Sequence, residues 1–139
     1  MLWRLHARRV TGPIGVERRA AREEIERGPE EWLAWWKARG ERELRCILMT
    51  AWDPIGVGDA AEAWDEYDSY APGVARRLLE ASTPDDAFDS VQAYLNHVES
   101  DFMETLSDER AHENGYLAAS LVAWHEWSYQ QDGRPSPTW

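Results

Sequence analysis

Phe88, Val91, Leu95, Val98 and Phe102 recur at steps of three, four, three and four. That is the period of a helix with one apolar side, and the alternation of a half-buried strand does not produce it. Thr83-Pro84-Asp85-Asp86 stands directly before the stripe. The threonine hydroxyl can cap a free N–H, the proline has the φ of a first helical position, and the acids suit the positive end of the helix dipole. A helix with one apolar side has to bury it against other elements.

The rest of the chain supplies helical partners. Residues 16–27 are rich in Arg, Glu and Ala and read as a helix closed by Gly28-Pro29. Residues 30–39 restart with Glu30 and Glu31 near the N-terminus, and Gly40 is expected to end that helix. Residues 41–52 place Leu44, Ile47, Leu48 and Ala51 on one face. Pro72 suits the first turn of another helix, with Val74, Leu78 and Leu79 on its apolar side. Ser107 caps a last helical stretch with Leu117, Leu121 and Trp124 on one face, which Gly115 weakens and is expected to split. The expectation is an all-α protein, a compact bundle of five or six helices forming a single domain over 1–139. Residues 1–12 read as an N-terminal arm and 133–139, with Gly133, Pro135 and Pro137, as a flexible tail. The expected core is Leu44, Ile47, Leu48, Trp52, Leu78, Val91, Leu95, Val98, Leu121 and Trp124.

Charge narrows the function. Residues 1–50 carry 11 basic and 8 acidic side chains, a net of +3, and residues 51–139 carry 4 and 18, a net of −14; together they give the −11 of the whole chain. Phosphate contacts need cations, so nucleic acid is a poor partner for the acidic part. An acidic field favours a basic protein partner and speeds its encounter, although charge alone also serves solubility. Nine tryptophans are more than a chain of 139 residues readily buries, which leaves some for a groove or a partner-facing patch. Trp32, Trp35 and Trp36 share one helical face, and Trp124 and Trp127 another. The chain has no apolar run of about 18 residues and its N-terminus lacks a signal-peptide core, so no membrane partner and a cytoplasmic location are expected. Cys46 is the single cysteine and, in the apolar stretch Leu44–Met49, reads as a buried, inert thiol.

Between the helices lies a polar corner. Asp53 before Pro54 is pushed out of the helical region and can turn the chain with its own carboxylate. Gly56 permits backbone angles closed to other residues. Trp52 is expected to anchor the corner, and Tyr67 and Tyr70 to be buried with hydrogen-bonded hydroxyls. Trp52, Asp53, Pro54, Gly56, Tyr67 and Tyr70 are therefore read as structural. Trp64, Asp65, Glu66 and Asp68 are read as partner-binding, with Trp64 as an anchor because it lies outside any buried stripe.

Trp52-Asp53-Pro54-Ile55-Gly56-Val57 followed by Asp65-Glu66-Tyr67-Asp68-Ser69-Tyr70 resembles the signature of a small bacterial helical family of unknown function. The resemblance runs from about Leu44 to Phe102, well under half of the chain. It implies a compact all-helical domain in a family some of whose members accompany toxins, and it carries no accepted catalytic residue. The first 40 or so residues and the segment after Met103 depart from the family's short form.

Other chemistry finds little footing. The chain has no Gly-rich phosphate loop, no cysteine pair for zinc, no calcium-loop spacing and no nucleophile signature. His97 with Asp101 and His112 with Glu109 are each one turn apart, too few ligands for zinc. No cofactor, metal site or catalytic residue is expected. Two readings remain: an acidic domain that neutralises a basic toxin as an immunity or antitoxin protein, or a small enzyme or metal-binding protein using Asp53, Asp65, Glu66 and Asp68. Oligomeric state is not legible.

Overall fold

The computed structural model describes residues 13–52 and 67–131, and its elements there are helices joined by turns. Helix α1 is Pro13–Glu26. Helix α2 spans 30–52 without interruption, although Trp36–Gly40 and Leu48–Trp52 are wound at the wider π spacing. A short 3-10 turn, Asp68–Tyr70, leads into α3, Ala71–Glu80. Helix α4 is Pro84–Val98, continued by the π turn Glu99–Met103. Helix α5, Asp108–Gln131, is the longest. The all-α expectation of five or six helices is met by five, with no strand among the described residues.

The local signals act as their chemistry requires. Thr83 Oγ1 accepts from the Asp86 amide at 3.0 Å, and Ser107 Oγ accepts from the Arg110 amide at 3.1 Å. Pro72 lies in the first turn of α3, where its missing N–H costs nothing. Two expected breaks are absent. Gly40 keeps helical angles of φ −60 and ψ −46, and the Trp35 ring lies where its Cβ would stand, at 2.8 Å. Its lack of a side chain makes room for an indole, and the helix runs on. Gly115 likewise lies inside an unbroken α5.

The core gathers the apolar faces of all five helices around Trp35, Leu44, Leu48, Leu78, Val91, Leu95, Val98 and Leu121. Helix α4 packs on α5 and α3, α1 packs on α3, and the π turns of α2 meet α5. Ile47 and Trp124 are only partly buried, as are Phe88 and Phe102 at the ends of the α4 stripe. Cys46 is exposed, contrary to expectation, because the helix turns it away from the face shared by Leu44 and Leu48. The arm at 1–12, the corner residues 53–66 and the tail at 133–139 lie outside the described residues. No described helix is long and apolar enough to cross a membrane.

Candidate functional site

Of the residues singled out in the sequence, Asp53, Pro54, Gly56, Trp64, Asp65 and Glu66 lie outside the described residues. Trp52, Tyr67 and Tyr70 come together as expected. All three are buried, with the Trp52 ring 5.4 Å from that of Tyr67 and 5.9 Å from that of Tyr70. Asp68 is half-buried and pairs with Arg45 of α2 at 3.0 Å, which ties the entry of α3 to α2.

Beneath this corner lies a carboxylate that sequence reasoning missed. Glu99 is 0% exposed, on the π turn that ends α4. The Trp52 indole donates to it at 2.9 Å, and Arg110 donates through Nε at 3.0 Å and Nη2 at 3.1 Å. Asn114 Nδ2 donates at 2.7 Å and Thr105 Oγ1 at 3.1 Å. Glu104 makes the Thr105 bond possible. It adopts the left-handed conformation, φ 56 and ψ 33, which folds the chain back so that the Thr105 amide also reaches the Glu99 carbonyl at 3.0 Å. Burial alone would raise the Glu99 carboxyl. The bonds from Arg110, Asn114 and Trp52 and the Arg110 charge outweigh that, and it is held below its ordinary range. It is an ionised anchor, poorly suited to donating a proton near neutrality.

A second carboxylate joins α2 to α5. Glu43 accepts from Trp124 at 2.9 Å, Ser128 at 2.8 Å and Arg39 at 2.7 Å. Trp35 donates to Ser128 at 3.1 Å and so extends the chain inward. Burial pushes the Glu43 carboxyl up, but the bonds from Trp124, Arg39 and Ser128 bring it below its ordinary range. Deeper still, Trp32 donates to His125 Nε2 at 2.9 Å. His125 is buried and therefore neutral, its pKa pushed down to about 4 by loss of solvation. The Trp32, Trp35 and Trp36 cluster is thus a core feature wired to α5 through indole N–H groups.

The signal for these anchors was present. Glu99 follows Leu95 by four residues and so shares the buried stripe of α4. Arg110 and Asn114 continue the Leu117 and Leu121 face of α5 toward its N-terminus. A charged residue on an apolar stripe requires a partner on the facing helix.

The outer face of α5 differs in kind. Glu109, His112, Glu113, Tyr116, Ala119, Ser120, Ala123 and Trp127 are all exposed and contain no Lys or Arg. Tyr116 is 64% exposed and Trp127 55%, both well beyond the exposure of the other large apolar side chains described. Trp127 does not share the half-buried setting of Trp124: the i, i+3 step leaves it about 60° round the helix, at the exposed edge of the face the two share. Beside this face an open groove of about 370 Å³ runs between α2 and α5, lined by Ile47, Ala51, Leu117 and Trp124 with Glu113 and Tyr116 at α5. No group of three or more His, Cys, Asp or Glu side chains able to hold a metal occurs among the described residues.

No protein-family model, curated protein or solved structure matches this chain.

Proposed function

We propose that this protein is an acidic protein-binding domain whose partner is a basic protein, in its concrete form an immunity or antitoxin protein covering a toxin's phosphate-binding surface. The observation that carries this reading is the outer face of α5, where two exposed aromatic rings stand with the carboxylates of Glu109 and Glu113 and α5 itself exposes no Lys or Arg among them. Exposed aromatics are frequent anchors of interfaces. Arg39 already lies over the Trp127 ring, 5.9 Å from its centre, so that ring faces a cation. The net of −14 over residues 51–139 adds long-range attraction. The interior carboxylates Glu43 and Glu99 are fully engaged in holding helices together. Asp68 is paired with Arg45 and adds little to the field.

The test is co-expression with the product of the neighbouring gene, then binding kinetics at two salt concentrations. Association should slow markedly as salt rises, and replacing Trp127 or Tyr116 by Ser should each weaken binding by about 2 kcal/mol if it anchors the interface. An association rate indifferent to salt would remove the electrostatic basis. Turnover of a small substrate that depends on Asp65 or Asp68, without capture of a basic protein, would decide for the enzyme.

A further inference from the structure

A cleft of about 220 Å³ opens between α1, α3 and α4, lined by Ala20, Ala21, Gly73, Arg76, Arg77, Tyr94 and His97. In a chain of net charge −11, its described lining carries two arginines and a histidine and no carboxylate. Small side chains on α1 leave the space open. Gly73 serves the same end: a Cβ there would collide with the ring and hydroxyl of Tyr94, so glycine alone lets that ring lie against α3. Arg77 stacks its guanidinium over the Tyr94 ring at 4.1 Å and donates to the Gly73 carbonyl at 3.0 Å, which holds its charge at the cleft wall. Arg76 gives Nη1 to both oxygens of Glu24, at 3.2 Å each, while its Nε–H is buried without an acceptor among the described residues. A buried donor with no acceptor is unfavourable, and a guanidinium fork is shaped for an oxyanion.

We propose that this cleft binds a small oxyanion, a carboxylate or a phosphate, with Arg76 Nε as its principal donor. The cleft is smaller than a pocket for a drug-sized ligand, which suits inorganic phosphate or a short dicarboxylate. Glu24 orients Arg76 from one side and the anion takes the other edge of the fork. The site is separate from the α5 face and independent of the protein-binding reading.

The experiment follows the Arg76 Nε–H resonance and, in wild type and variants alike, the backbone amide of Gly73 in the cleft wall, in nitrogen-15-labelled full-length protein. Sodium phosphate and sodium succinate are titrated separately, each against sodium chloride at matched ionic strength. A saturable shift with phosphate, with succinate or with both supports the site, and the pattern identifies the source of the oxyanion. Arg76→Lys keeps the charge beside Glu24 and removes Nε, and should weaken binding about tenfold or more. Arg45→Lys, outside the cleft, should leave it unchanged. A wild-type resonance that moves no further than under chloride overturns the proposal, as does an Arg76→Lys protein that binds as tightly as wild type.

Discussion

Glu99 and Glu43 receive nearly the same donors in different surroundings. Each takes an indole N–H and a guanidinium, with a small hydroxyl beside them. Glu99 is fully buried and its donors come from α2, α5 and the turn after α4. The Glu43 side chain is 26% exposed, and its guanidinium comes from its own helix, one turn away. Water can reach the Glu43 carboxylate, and the Glu99 carboxylate is closed to it. The same hydrogen-bonding vocabulary thus gives an obligatory joint in one place and an adjustable clasp in the other.

The largest effect expected from this difference is at Glu99. Glu99→Ala strands the Arg110 charge and the Trp52 and Asn114 donors, and should destabilise by about 3–5 kcal/mol. Chemical denaturation measures it, and a loss below about 1 kcal/mol would mean that water reaches the joint. Acid comes next and acts first on the neighbouring core. His125 is depressed from an unfolded value of 6.5 to about 4, so the unfolded chain binds its proton more readily. Its contribution is complete above pH 6.5 and is lost as pH falls from there towards 4, about 2 kcal/mol by pH 5. The two carboxylates, also depressed, keep their contributions above their unfolded values and lose them only at lower pH. A His125→Gln variant should flatten stability between pH 7 and 5 in thermal melts, and an unchanged slope would assign the loss elsewhere. Glu43→Ala should cost about 1 kcal/mol, because solvent takes over the part-exposed Arg39 and Trp124 donors and only the buried Ser128 hydroxyl is left to find a new partner. A cost equal to that of Glu99→Ala would erase the contrast. Smallest is Glu104→Gly, which relieves a left-handed backbone but frees the unfolded chain, for a net gain of about 0.5 kcal/mol. A clear loss of stability there would show that the Glu104 side chain itself supports the Thr105 turn.

The helices were legible because their signals are local. The cap at Thr83, the proline at 72 and the 3-4 stripe of α4 each need only neighbouring residues to act. Gly40 was misread for the opposite reason. Its role is set by the Trp35 ring beside it, and a glycine that makes room for an indole looks the same in sequence as one that ends a helix. The π turns at Trp36–Gly40, Leu48–Trp52 and Glu99–Met103 left no such mark. Trp52 and Glu99 each lie in one of these turns and meet across 47 residues of sequence, a contact set by packing between helices. Of the candidate site, Trp52, Tyr67 and Tyr70 could be placed from sequence because large aromatics beside a corner seek the core. The exposed pair Tyr116 and Trp127 could not, since a helical period tells which residues share a face and not which face meets water.

Glu99 and Glu43 hold helices together while the outer face of α5 leaves Tyr116 and Trp127 exposed, and Glu99 is where that contrast is most directly measured. Its side-chain carboxyl carbon can be followed by NMR as pH is lowered. The account predicts no change down to pH 5 and a titration below the ordinary 4.5, as for an ionised anchor whose hydrogen bonds replace water. A midpoint near or above pH 6 would contradict it, for Glu99 would then be a poised acid and the enzyme reading would take precedence.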